Sequence, residues 1–458
     1  MNYVDIVKYV FWIITTTLSV LTLHYIFFIF VGIFTHKKYP KANVQKKYGI
    51  VISARNEGLV IENLINSIRK NNYPQDKLHI FVIAHNCNDN TAEIARKSGA
   101  TVYEYNNPEE RTKGYALKHL FECIIRDYGV ENFDGFFVFD ADNILDKNFF
   151  SKMNDAFVAT GCKDVITSFR NSKNFGTNII SGMYGIHFMS GCRLECRGRT
   201  ILGCSTRVQG TAFLLASDML KDGWNYVTLT EDWELSADQI LQGNKIFYCD
   251  EAMTYDEQPV SVKIMIRQRL RWAKGHLLVF NKKFFQLLRN IFTPKGKNKG
   301  SSYDIMTNII PSQIIAVFLF IMELILLAFC PLFNIEFKPV VLELLKSAGV
   351  TLLTMYVSMF VQAVVIFILE RKRIKKIPVY KKILMTFCWP LFTLINYLIA
   401  FVALFKKIEW KAIPHIDETS HENVNDDEEY ESVKETAEEV AVQSDVTLEA
   451  ENNENNNN

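Results

Sequence analysis

The chain has 458 residues, 49% of them hydrophobic, a mean hydropathy of +0.03 and a formal net charge of +1. That length excludes one ordinary core and calls for two or three regions. Both averages are cancellations: residues 417–458 hold 15 Asp/Glu against Lys434 alone, which leaves the rest of the chain basic by about 15 charges. A basic body suits phosphorylated substrates and an anionic lipid leaflet.

In chain order, residues 10–34 come first and are almost wholly apolar. They approach the ~20 residues a helix needs to cross hydrocarbon. A signal peptide is the alternative, but Asp5 and a lone Lys8 make no basic n-region, and no small-residue cleavage pattern precedes His36-Lys37-Lys38. The expectation is an uncleaved anchor, residues 1–44.

Residues 45–302 have ordinary soluble composition. The run 49–54 reads as a strand, followed by an amphipathic helix carrying Leu59, Ile61, Leu64, Ile65 and Ile68. Further strands are expected at 78–84, 101–105 and 135–139, with helices beginning near Thr91 and at 115–128. Strands alternating with helices predict a parallel α/β sheet, with ligands at the strands' carboxyl ends. Polar clusters sit at those ends: Asn56-Glu57, residues 85–89, and Asp140-Ala141-Asp142.

In an extended run Asp140 and Asp142 share a side. Two hard carboxylates at a strand end suit Mg²⁺ or Mn²⁺ and a substrate phosphate. The bland reading is a pair of solvated loop acids.

His187, Cys192, Cys196 and Cys204 form the one notable cluster among nine cysteines. Without a C-x-x-C pair they read as buried thiols in place of a zinc site. Thr230-Glu231-Asp232 precedes a helical run at 233–242, where Thr230 is a natural N-cap and the acids favour the first turn. The amphipathic stretch 259–285 contains Arg267-Gln268-Arg269-Leu270-Arg271-Trp272; alone, such a basic stripe is most often a helix lying on lipid headgroups.

Three more apolar segments follow, at 305–333, 350–369 and 383–405. Basic residues after the first and third of the four segments, Lys37-Lys38 and Arg371 through Lys376, place the soluble domain in the cytoplasm by the positive-inside rule. A full crossing by the fourth would put Lys406, Lys407 and Lys411 outside, and Pro390 interrupts it. A re-entrant or interfacial pair of short helices is therefore expected within 303–412. Residues 413–458 read as a disordered acidic tail.

Taken in order, the Asp140-Ala141-Asp142 pair, the Glu231-Asp232 pair and the Q-x-x-R-W motif at Gln268, Arg271 and Trp272 resemble the membrane-bound branch of the inverting family 2 glycosyltransferases. That branch holds cellulose, chitin, hyaluronan and poly-N-acetylglucosamine synthases. The similarity covers roughly residues 49–282 and implies a GT-A fold, a Rossmann-like mixed sheet flanked by transmembrane helices. It also implies transfer from a nucleotide sugar to a glycan or glycolipid acceptor, with Mg²⁺ or Mn²⁺. No nucleic-acid partner is expected, and a homo-oligomer or export partner would fit such a short set of spans.

By the same resemblance, Glu57 and Lys113 belong to the nucleotide pocket and Asp140 and Asp142 to the metal. Asp232, beside Glu231, would be the general base; Gln268 and Arg271 would steady the diphosphate, and Trp272 would stack on the acceptor. Family members commonly carry Asp where this chain has His85, accepting a hydrogen bond from uracil; a neutral imidazole also accepts one. Two alternatives share the fold: a polyprenyl-phosphate sugar synthase, which generally lacks Q-x-x-R-W, and an inactive membrane scaffold.

Overall fold

A computed structural model describes residues 3–333, 336–374 and 377–408; the acidic tail, Lys375, Lys376 and Lys411 lie outside the described residues. Eight strands form one sheet: β1 (Tyr48–Ala54), β2 (Leu78–His85), β3 (Thr101–Tyr105), β4 (Gly135–Asp140), β5 (Ile144–Leu145), β6 (Val165–Ser172), β7 (Phe213–Ala216) and β8 (Ile246–Asp256). Their spatial order is β3-β2-β1-β4-β7-β6-β8-β5. The first four are parallel, as the strand–helix alternation predicts. β7 runs antiparallel to both neighbours, β6 and β8 pair in parallel, and β5 closes the edge antiparallel, so the sheet is mixed.

The helices in chain order are α1 (Tyr3–Thr22), α2 (His24–Phe34), α3 (Ile61–Arg69), α4 (Thr91–Lys97), α5 (Lys113–Asp127), α6 (Phe149–Ala159), α7 (Ile179–Ser190), α8 (Arg197–Ile201), α9 (Glu231–Gln242), α10 (Val262–Phe292), α11 (Lys299–Ile309), α12 (Ser312–Phe329), α13 (Phe337–Leu369) and α14 (Val379–Phe405). Both faces of the sheet are packed. One core joins Ile50, Ile52 and Phe137 to the apolar stripe of α3 (Ile61, Leu64, Ile65, Ile68); the other joins Val51, Phe81 and Phe136 to Leu117, Leu120 and Phe121 of α5. Continuous apolar strands are what burial on both faces demands.

Among the described residues, four helical stretches are long and apolar enough to cross a membrane: Trp12–Phe34, Ser312–Phe329, Phe337–Leu369 and Val379–Phe405. Two expectations are corrected here. The segment 305–333 is not one span, because the helix breaks between Ile309 and Ser312. Pro311 has no N–H and forces Ile310 out of helical geometry (ψ 126°), leaving Ile305, Met306, Thr307 and Ile309 buried in α11. Conversely, residues 383–405 are not a pair of short helices. Pro390 lies inside the continuous 27-residue α14, where one lost backbone bond is outweighed by packing on α7, α10, α12 and α13.

α14 stays on the α/β domain along its length. Lys381 Nζ donates to the Gly176 carbonyl near its start (2.8 Å), Arg269 Nη1 donates to Asn396 Oδ1 (3.0 Å), and Lys274 Nζ donates to the Ala403 carbonyl near its end (3.0 Å).

The N-terminal apolar helix α2 is fastened to the same domain. Gly32 of α2 faces the Arg193 carbonyl, and Gly198 of α8 faces the Phe28 carbonyl, so a side chain at either would collide with backbone. Around this contact Arg199 pairs with Asp304 (2.7 Å), which also meets His24 (3.0 Å). Asp250 receives Arg197 (2.6 Å), Arg373 (3.1 Å) and His36 (3.3 Å).

Candidate active site

The carboxyl ends of β1, β2 and β4 open into a cavity of about 530 Å³. Every residue given a role by the family resemblance lines it: Glu57, His85, Lys113, Asp140, Asp142, Glu231, Asp232, Gln268, Arg271 and Trp272; Cys192, Cys196 and Cys204 do not.

Asp140 ends β4, but Asp142 lies in the turn that follows, where the Asn143 N–H returns to the Asp140 carbonyl (3.2 Å). Strand alternation therefore does not align the two acids; the turn does. Thr211 Oγ1 holds it by accepting the Asp140 N–H (2.8 Å) and donating to Asn143 Oδ1. Asp142 is buried and accepts the Glu257 N–H (2.9 Å).

Lys113, the first residue of α5, donates to Asp140 Oδ1 and to the Gly210 carbonyl (2.8 Å), and lies 3.8 Å from Glu231. Burial works against its charge, yet Asp140 and Glu231 outweigh that and hold the ammonium protonated above its ordinary range.

Glu231 and Asp232 open α9, where backbone N–H groups favour negative charge. Thr230 precedes them without capping: its hydroxyl is buried and has no partner, contrary to the N-cap reading. Its side chain instead packs on Gly275 of α10, where any Cβ would collide with it. That glycine brings the Q-x-x-R-W helix onto the acidic pair. Burial, with Asp232 adding repulsion and Lys113 opposing, pushes Glu231 up to about 7; burial raises Asp232 as well. Both shifts raise the pair's affinity for a proton toward neutrality, the range where a carboxylate base works best.

On α10, Gln268 aims a buried, unpartnered Oε1. Burial lowers Arg271 while Glu231, Asp140 and Asp232 support its charge. Trp272 meets His187 (6.2 Å, 22° between planes), Tyr184 (6.0 Å, 77°) and Phe188 (6.2 Å, 79°). His187 is accessible from the cavity yet enclosed by the fold, and burial with neighbouring Arg269 pushes it down to about 3, so it is neutral.

At the opposite end the His85 ring stacks on Tyr105 (5.5 Å, 11°), which stacks on His119 (4.1 Å, 9°). Burial lowers His85, so the neutral imidazole is the form present.

Sequence reasoning missed Arg170 and Asp256. Arg170 Nε donates to Asp256 Oδ2 (2.8 Å) and Nη1 to the Gln209 carbonyl (2.7 Å), tying β6, β8 and the 205–212 loop together beneath the acids. The signal was Asp256-Glu257-Gln258 after a long apolar strand, another polar cluster at a strand end. Cys192 and Cys196 are buried free thiols hydrogen-bonded with Gln209, and no group of three metal-ligating residues occurs among the described residues.

A divalent ion fits on chemical grounds. Asp140 and Asp142 offer two hard oxygen donors lining the cavity, and a divalent ion would fill its remaining positions with water and substrate phosphate.

Residues 45–275 match the family described as Glycosyltransferase like family 2. The chain is 26% identical over 295 residues to the "Probable glycosyltransferase YdaM" of Bacillus subtilis, covering 60% of this chain and 69% of that protein. It is 26% identical over 262 residues to the poly-β-1,6-N-acetyl-D-glucosamine synthase of Staphylococcus aureus, of whose length it spans 60%. Its fold is similar to that of the mannosyltransferase PcManGT of Pyrobaculum calidifontis, solved with GDP-Man and Mn²⁺. The TM-score is 0.56 at 13% identity, covering 86% of this chain and 99% of that one.

Proposed function

The chain belongs to the glycosyltransferase-like family 2, and from that premise we propose that it transfers a hexose or N-acetylhexosamine from a UDP-sugar, with inversion, to a β-glycan or glycolipid at the cytoplasmic face of the plasma membrane. It is a glycosyltransferase with a GT-A fold to which long apolar helices are added. The observation that carries the finer reading is the shared cavity: the Asp140/Asp142 turn, the Glu231/Asp232 pair and the Q-x-x-R-W helix face one space.

Each group has a role that sugar transfer requires. A sugar hydroxyl is a poor nucleophile, so Asp232 accepts its proton while Glu231 shares the local charge with Lys113. The leaving diphosphate gathers negative charge, which Lys113, Arg271 and Gln268 are placed to stabilise. Asp140 and Asp142 would hold Mg²⁺ or Mn²⁺, which supplies Lewis-acid stabilisation of that diphosphate. In-line attack by the hydroxyl that Asp232 deprotonates, on the face opposite the departing diphosphate, would invert the anomeric carbon. Trp272 and His187 give the acceptor sugar flat, neutral surfaces at low entropic cost.

The likeness to a poly-N-acetylglucosamine synthase favours an N-acetylhexosamine donor. The Q-x-x-R-W helix weighs against a polyprenyl-phosphate sugar synthase, and the convergent acids weigh against an inactive scaffold. The test is a panel of labelled nucleotide sugars given to vesicles containing the protein, beside Asp232→Asn. Transfer lost in the variant with donor binding kept is the expected result; lost donor affinity with normal turnover at saturation would move Asp232 to the donor site.

A further inference from the structure

Arg170, near the end of β6, is clamped on three sides. Nε and Nη2 donate to Asp256 Oδ2, Nη1 donates to the Gln209 carbonyl (2.7 Å), and the guanidinium carbon lies 3.7 Å from the centre of the Phe188 ring. A guanidinium carries five N–H donors. One is therefore left on each of Nη1 and Nη2, with no acceptor among the described residues.

Beside Nη1 there is a gap. Gly210 has φ +86°, and a Cβ there would meet Arg170 Nη1 at 3.6 Å, Asp232 Oδ2 at 3.8 Å and nothing else within 4 Å apart from its chain neighbours. Arg170, Gly210 and Asp232 all line the cavity. The Gly210 carbonyl accepts from Lys113 (2.8 Å), so the gap adjoins a cation assigned above to the diphosphate. It offers a carboxylate acceptor on one side and a guanidinium donor on the other. Neighbouring hydroxyls of a sugar match that pair: one gives up its proton and the next receives a hydrogen bond through its oxygen. An anion would match Arg170 alone and would be repelled by Asp232 and by Asp256, which already pairs with the guanidinium.

We propose that Arg170 is a further acceptor-binding residue, donating to the acceptor hydroxyl next to the one that Asp232 deprotonates. Locked by Asp256, Gln209 and Phe188, it fixes the rotation of the acceptor sugar before reaction and so keeps the attacking oxygen in line. Arg170 does not serve the nucleophile itself, because that hydrogen bond would draw on the electron pair that attacks. The inference rests on the glycosyltransferase reading above, with Asp232 as base, and adds a second polar contact to the acceptor.

The test uses the full chain in phosphatidylcholine vesicles with the nucleotide sugar from which it transfers. Acceptors are the methyl and octyl β-glycosides of glucose and N-acetylglucosamine, and the monodeoxy forms of whichever glycoside accepts. The form lacking the nucleophile is inert and identifies it. The form lacking its neighbouring hydroxyl should lose about 10- to 100-fold in kcat/KM with the wild-type protein, the range for a hydrogen bond to a charged group. Arg170→Met should lose a similar factor on the complete acceptor and nothing further on that deoxy form, with KM for the nucleotide sugar within about threefold. Arg170→Lys keeps a charge beside Asp256 but not the fork, and should also show a reduced deoxy penalty. If Arg170→Met does not accumulate in the membrane, the comparison in Arg170→Lys decides alone. A deoxy penalty undiminished in the variants overturns the proposal, as does a wild-type protein indifferent to every hydroxyl except the nucleophile. Donor hydrolysis without transfer to any glycoside overturns the sugar-acceptor reading instead, and no reaction with any nucleotide sugar overturns the glycosyltransferase reading itself.

Discussion

Gly275→Ala tests how closely the Q-x-x-R-W helix must approach the acidic pair. A Cβ at 275 would stand 2.6 Å from Thr230 Oγ1 and 3.0 Å from Thr230 Cβ, where ordinary contact begins near 3.4 Å. Thr230 is anchored by the first turn of α9, so relief requires α10 to move outward by about 1 Å. Gln268, Arg271 and Trp272 ride on that helix within two turns of Gly275. A misplacement of about 1 Å can cost 10²-fold in rate, and overpacking costs about 1–3 kcal/mol of stability. Turnover at saturating donor should therefore fall about 10- to 100-fold, with a small fall in Tm. Thr230 Oγ1 has no hydrogen-bond partner, so Thr230→Ala removes the two closest colliding atoms, Cγ2 and Oγ1, without orphaning another group and leaves only the Cβ contact at 3.0 Å. The single Thr230→Ala variant should be near wild type, and Gly275→Ala with Thr230→Ala should recover most of the lost turnover. Wild-type turnover in Gly275→Ala, or a double variant no better than the single, would refute the close-approach reasoning.

Asp142→Asn should abolish transfer, and activity of the parent should vanish with excess chelator; full activity in chelator takes the metal out of the mechanism. Glu231 sits at about 7 and Asp232 is raised, so the basic form is lost as pH falls and kcat should drop through that region. Glu231→Gln removes the like charge beside Asp232, and the acid limb should then move to lower pH; a limb that stays in place would separate Glu231 from the base. Trp272→Ala should slow transfer to acceptor more than donor hydrolysis, and a parallel loss of both with membrane association would make Trp272 a mere anchor. Deleting residues 417–458 should leave insertion and catalysis near normal, as activity in the membrane fraction would report.

Strands β1, β2 and β4 of the parallel half were legible because they are buried on both faces and end in polar clusters; residues 135–139 needed only Asp140 added. The other half was harder to read. β5 has two residues and β7 four, too short for a periodic pattern, and β8 is set by pairing with a distant β6. Asp256 and Arg170 share a site through that pairing alone, from positions 86 residues apart. Asp140 and Asp142 were rightly taken as neighbours, but by the wrong cause, since a turn and not the pleat brings Asp142 to the cavity. Proline misled in both directions: Pro311 ends a helix that composition made continuous, while Pro390 leaves one intact because its neighbours hold it.

Residue 302, where soluble composition stops, is not where the active site stops being built. Arg269, between Gln268 and Arg271, is buried, and its described contacts are the Phe392 carbonyl, Asn396 Oδ1 at 3.0 Å, and the rings of Phe392 (3.4 Å) and Tyr184 (5.3 Å). None of those contacts is a carboxylate. A buried cation costs several kcal/mol unless hydrogen-bonded, and here most of the compensation comes from α14. A desolvated cation–π contact contributes about 2 kcal/mol, and the two α14 oxygens both accept from Nη1. Without α14, a bare guanidinium would remain beneath the helix that carries Gln268, Arg271 and Trp272. The apolar helix α14 is therefore a structural member of the candidate site, whose cavity Asn396, Ile399 and Ala400 help to line.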